Sequence, residues 1–167
     1  MIETIKEYLA KEDLVALYGV LAEDMLEEDG RRELESEMLN IAREKMHDKM
    51  AEQKRFDFDN KSEQFVLRVL YDDALGFYEA GEYYESGEAF ALLAAASNSK
   101  LFEKSVKKHL LAVQQKVSFE TFIDEWVEDK VLKHFFVSKF TKTVEKSYKA
   151  ELSVLNASVQ RYAKLFN

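Results

Sequence analysis

The chain has no cysteine, no proline and only five glycines in 167 residues. Without cysteine there are no disulfides, no thiolate nucleophiles and no cysteine-ligated zinc or iron-sulfur sites, which accords with a reducing compartment. Without proline and with little glycine, the strongest helix breakers are nearly absent; in a helix interior they cost about 3 and about 1 kcal/mol relative to alanine. No apolar run approaches the roughly 18 uncharged residues of a membrane span. The longest, AFALLAAA at 89–96, makes about two turns of helix and reads as core. The opening MIETIKEYLA has neither the basic nor the apolar region of a secretory signal, so a cytoplasmic protein with no membrane segment is expected.

Signatures of catalysis are missing as well. There is no Gly-x-Ser-x-Gly elbow, and nothing marks any of the three histidines as the base of a hydrolase. Gly76, Gly81 and Gly87 match neither of the glycine patterns whose backbone amides cradle phosphate. Asp57, Asp59 and Glu63 resemble part of a calcium loop, but Ser62 stands where glycine is required and the closing glutamate is absent. Solvated loop carboxylates are the better reading, and no cofactor is expected.

What is present is helical material. Hydrophobic residues make up 47%, with 12 Phe and 8 Tyr against one Trp, enough for an aromatic-rich core in one domain spanning 1–167. Apolar spacing of three and four recurs throughout, and the pattern predicts helices near 2–10, 12–28, 30–54, 61–80, 82–97, 99–116, 118–133 and 135–166. Leu14, Leu17, Tyr18, Leu21, Met25 and Leu26 make one stripe of the second. The third is polar with a thin stripe and is expected at the periphery, followed by a loop at 55–60 (RFDFDN). The core is expected within 61–140, where 61–80 is apolar on several sides. Gly87 and its small neighbours predict a tight helix crossing. Ser97 or Asn98 is expected to cap the sixth helix, and Ser118 with Glu120 to open the seventh. In the last helix, 135–166, apolar residues from Leu152 to Phe166 follow a heptad, and 32 residues extend roughly 48 Å, so its end is expected to project. The fold class is thus all-α, a single-domain bundle of seven or eight helices with a long C-terminal helix.

Charge is polarised along the chain: residues 1–97 carry 24 acidic and 11 basic side chains, a net of −13, and residues 98–167 carry 8 and 13, a net of +5. Such a field steers charged partners or favours head-to-tail contact between copies. The basic part is made of lysines such as Lys100, Lys107, Lys108, Lys142 and Lys146. Base-edge recognition usually draws on arginine, and Arg161 is the one arginine after Arg68, so nucleic acid is disfavoured as a partner.

Glu44 and His47 form one Glu-x-x-His, which places a carboxylate and an imidazole on one helix face. A di-iron bundle uses that motif twice, whereas His109 and His134 follow Val106 and Val131 at the matching spacing. Glu44 and His47 therefore stay weak candidates for a metal.

The segment 70–97, LYDDALGFYEAGEYYESGEAFALLAAAS, resembles one tetratricopeptide-like helical hairpin. Phe77 falls at that family's tyrosine, Gly81 and Tyr83 at the turn, Ser86 at the small packing position and Phe90 at the phenylalanine. Asp73 and Ala74 depart from the family's leucine and glycine, no proline closes the unit, and no second copy follows at a period of 34. The resemblance implies a role in protein binding. Tyr78, Tyr83 and Tyr84 are the candidate groove residues, and Leu152, Leu155, Val159, Tyr162 and Phe166 the candidate seam for self-association into a homodimer. The reading favoured is a non-enzymatic interaction module, an adaptor, chaperone or regulator with a protein partner. Its rivals are a metal-binding bundle or enzyme using Glu44 and His47, and a nucleic-acid binder using the C-terminal lysines.

Overall fold

The structure, a computed structural model, describes residues 1–115, 129–136 and 152–166. Helix α1 (Ile2–Ala10) buries Ile5 and Leu9. Helix α2 (Leu14–Ala22) starts at Asp13, whose carboxylate accepts the Ala16 amide at 3.2 Å and satisfies one free donor of the first turn. It stops short of the predicted end at 28 because Asp24 takes a positive φ of 50°. Met25 and Leu26 therefore lie in the connection to α3, with Leu26 buried there.

Helix α3 (Arg31–Glu52) buries only Leu34, Met38, Ala42 and Met46, at steps of four, so a single stripe of it meets the core. Helix α4 (Lys61–Glu79) starts at Asn60, whose side chain accepts the Glu63 amide. Nine of its residues are buried, pointing to several sides, because α2, α3 and helix α5 (Tyr83–Ala96) all pack on it. Gly81 makes the α4–α5 turn at φ +79°, a backbone region costly for any residue with a Cβ. Helix α6 (Lys100–Gln115) packs on α5. Helix α7 (Lys130–Phe135) is capped by Asp129, which accepts two amides at 3.0 Å. Helix α8 (Leu152–Ala163) lies against α5 and α6.

The all-α class holds for the described residues, whose sole β-type pairing is one isolated bridge between Phe56 and Ser97. The long C-terminal helix does not. Phe135 ends α7, and Phe136 leaves helical geometry at ψ 41°, so no rod starts at 135. The described terminal helix has 12 residues, roughly 18 Å. The expected start of a helix at Ser118 lies outside the described residues.

Two further expectations are corrected. A Cβ built at Gly87 meets nothing within 4 Å, so the close crossing is not there. It falls one residue earlier, where the fully buried Ser86 donates its hydroxyl to the Ala74 carbonyl at 2.8 Å. The cap of α6 is Ser99, which accepts the Phe102 amide at 3.2 Å, while Asn98 uses its side-chain oxygen to accept from Phe58 N. The segment 55–60 is a loop between α3 and α4, and it is fastened to the core. Phe56 donates to Ala96 O at 2.7 Å and accepts from Asn98 N at 2.9 Å, and Phe56 and Phe58 are buried while Asp57 and Asp59 face solvent. Extended backbone alternates its faces, which sends both rings inward.

Those rings help build the centre of the molecule. Phe58 lies 5.1 Å from Phe102 and 5.2 Å from Phe135, ring centre to ring centre, and Tyr71 contacts Phe90, Phe135 and Phe136 at 5.0 to 6.2 Å. Each ring buried here contributes roughly 1.5 to 3 kcal/mol by area, with a further increment for edge-on contact.

Candidate functional site

Where α2, the 23–30 connection, α3 and α4 meet, they leave an open crevice of about 640 Å³. The α4 wall is a helical stripe from Arg68 through Val69, Asp72, Asp73, Leu75 and Gly76 to Glu79; the α3 wall runs from Arg31 to Leu39. The two helices run antiparallel, as the pairs Arg43 with Asp73 and Lys49 with Glu63 show. Leu21, Leu39, Val69 and Leu75 line the floor, beside Val20, Leu26 and Met38. Gly76 is exposed, and a Cβ there would meet nothing within 4 Å. Volumes of this size fall in the range of sites that hold an organic ligand or a few anchoring side chains.

Six carboxylates and three guanidinium groups line this crevice, a net of −3. Arg31 spans the upper wall, pairing with Asp24 at 3.4 Å and Glu35 at 3.2 Å and donating to Leu26 O, which holds the connection against α3. Its Nε is buried without a hydrogen-bond partner. Arg68, only 3% exposed, donates to Asp72 at 3.2 Å and to the Phe135 carbonyl at 3.1 Å, so it closes the C-terminal end of α7 as well as the crevice floor. Asp73 pairs with Arg43 at 3.4 Å. Glu28 and Glu79, at the rim, are exposed and make no side-chain ion pair or hydrogen bond among the described residues; Arg32 is likewise unpaired.

The predicted candidates are dispersed. Tyr78 is buried and meets Tyr83 edge-on at 5.2 Å, whereas Tyr84 is 75% exposed, so the three form no common groove and none lines the crevice. Burial raises the Tyr78 hydroxyl well above its ordinary range, with a smaller push from Tyr83. Glu44 and His47 share the exposed face of α3, and among the described residues no three histidines and acids gather as a metal site. In the 55–60 segment Asp57 accepts from Asp59 N at 3.0 Å and Glu63 pairs with Lys49 at 2.6 Å, so those acids stabilise the local backbone.

Val159 and Phe166, two members of the terminal heptad, are buried inside this chain, while the side chains of Leu152 and Leu155 lie outside the described residues. Tyr162 donates to Glu88, and Arg161 binds the same carboxylate through both oxygens at 2.7 and 2.8 Å, tying α8 to α5. Burial raises the Tyr162 hydroxyl, and its bond to Glu88 adds to that.

His109 is fully buried in the centre. Its Nδ1 is 2.8 Å from Ser105 O and its Nε2 3.1 Å from the Tyr71 hydroxyl. A carbonyl only accepts, so Nδ1 carries the proton and Nε2 accepts from Tyr71. Burial lowers its pKa to about 3, offset in part by the Ser105 bond, and keeps the ring neutral. With both ring nitrogens bonded, the geometry suits a satisfied core group.

Sequence reasoning missed the crevice, since its walls come from three helices whose relative placement no single stripe encodes. The available signal was Arg68, a cation inside the otherwise apolar run 65–71 with Asp72 four residues on. Comparison with family models, with curated proteins and with solved structures gives no match to this chain.

Proposed function

We propose that this chain is a non-enzymatic helical interaction module that receives a segment of a partner protein in the α2–α3–α4 crevice. The observation that carries this reading is the crevice itself, an open 640 Å³ cleft with an apolar floor and an ionised rim, walled by two antiparallel helices. Laying an amphipathic segment between two helices is a recurrent mode of peptide recognition, and it needs no reacting groups. Adaptor, chaperone and regulator are the roles such a site serves.

Gly76 gives the test. A Cβ at Gly76 enters open space, so Gly76→Trp should fill the crevice, with circular dichroism checking that the helices are kept. A photo-reactive amino acid at Ser36 or Gly76, on opposite walls, should cross-link one partner in the source cell, and a crevice filled by Gly76→Trp should abolish the Ser36 adduct. The same probe at Tyr84 serves as the control face. Cross-links that form only from Tyr84, or that persist from Ser36 in the filled variant, count against the crevice as the binding site.

A further inference from the structure

We infer that the crevice takes a basic amphipathic helix: apolar side chains on its inner face, and lysine or arginine on the flanks to meet Glu28 and Glu79. This deepens the preceding proposal and rests on it. Two independent features carry it. The first is shape. The α4 wall from Arg68 to Glu79 runs 12 residues, roughly 18 Å, which matches about three turns of a helix lying alongside it. Exposed Gly76, one turn from the end of that wall and with open space above it, allows close backbone approach there.

The second is charge. Arg31 and Arg68 are spent on Asp24, Glu35, Asp72 and backbone carbonyls, so the cations of the wall do not project as free binding groups. The groups left over on the rim are two carboxylates, Glu28 and Glu79, against the single Arg32. They stand in the half of the sequence whose net charge is −13, so the long-range field also draws a cation toward this face. An acidic or phosphorylated segment would meet repulsion here. A neutral apolar segment would leave both rim acids without a counter-charge.

The experiment uses the full chain and three labelled peptides of about 14 residues, long enough to sustain helix. All three carry leucine at the same heptad positions; the remaining positions are lysine, glutamate or glutamine. Fluorescence anisotropy reads affinity at low and high salt, and amide shifts locate the site. The lysine peptide should bind best, shift the amides of 31–39 and 68–79, and weaken as salt rises. Glu28→Lys with Glu79→Lys should weaken it by roughly tenfold or more at low salt. Glu52→Lys with Asp59→Lys, exposed at the end of α3 and just before α4 and outside the crevice lining, changes the net charge equally and should leave affinity within about twofold.

Equal loss in both variants would reduce the effect to general attraction by an acidic protein and overturn the inference. Tight binding of the glutamine or glutamate peptide in the crevice would overturn the charge assignment while leaving the interaction module intact. If no peptide binds while Gly76→Trp still removes a cellular cross-link, the helical occupant is wrong and the site stands. If Gly76→Trp changes nothing, the site itself falls. Self-association of the free chain that the Glu28/Glu79 reversals abolish would make a second copy the occupant, and would also overturn the inference.

Discussion

At the scale of single residues, buried polar groups of this core have defined partners: Ser86 the Ala74 carbonyl, and Arg68 both Asp72 and the Phe135 carbonyl. His109 is the sharpest case, because its protonation state follows from its neighbours: a carbonyl on one side forces the proton onto Nδ1, and the Tyr71 hydroxyl fills the other nitrogen. The ring's pKa falls from 6.5 to about 3 on folding. Above about pH 6.5 both folded and unfolded chains hold a neutral ring, and it adds no pH dependence. Between about 6.5 and about 3 the unfolded chain takes up a proton that the folded chain refuses, so stability is lost as pH is lowered, by up to about 1.4 kcal/mol per unit. His109→Gln keeps a donor and an acceptor but cannot titrate. Urea unfolding at pH 7, 6, 5 and 4 should therefore show a shallower decline in the variant, and parallel declines would disprove a neutral buried imidazole.

At the scale of elements, α4 unites the fold, and its one internal glycine serves no turn and no close packing within the chain. Gly76→Ala should raise stability by about 0.5 to 1 kcal/mol, through helix propensity and a less flexible unfolded state, since the added methyl meets open space. Thermal melts would check it, and a destabilised variant would mean that the crevice wall is closer than 4 Å to that Cβ. Helix α8 is short but anchored, with Phe166 fully buried just past its end. Phe166→Ala should cost about 3 to 5 kcal/mol by equilibrium unfolding, the range for emptying a phenylalanine site in a core. A cost below 1 kcal/mol would mean that the C-terminal residues do not dock on α5 and α6.

The elements were the most legible part of the sequence. Spacing of three and four placed α1, α3, α4, α5 and α6 close to their observed bounds, because one buried face per helix leaves that period behind. Ends were less legible: Asp24 closes α2 through a backbone angle that no hydrophobic stripe reports. The FDFD segment was readable in principle, since period-two alternation marks extended chain, but it is short and lies among helices. The heptad from Leu152 to Phe166 suggested a seam between copies, yet periodicity states only that a face is covered and never by which chain; Val159 and Phe166 are buried within their own chain.

At the scale of the whole molecule, the acidic and basic halves meet across α5 and α8, where Glu88 holds Arg161 and Tyr162. This exposed clamp contributes little to stability as an isolated pair, but it fixes the placement of the last helix. The candidate site was the least legible at this scale. Arg31, Glu28 and Glu79 are ordinary surface-type residues in sequence, and they gain significance only when the 23–30 connection folds back toward the far end of α4.

The bridge from Phe56 to the end of α5 also governs how the chain yields to attack. Lys54 and Arg55 form a dibasic pair between two helices, the sort of place where trypsin usually cuts first. Here the scissile strand is fastened immediately downstream by the Phe56 amide and carbonyl and the Phe58 amide, so digestion there must wait for the two rings to leave the core. Phe56→Ala should turn this silent site into the fastest cut of the molecule, releasing an acidic fragment of α1 to α3.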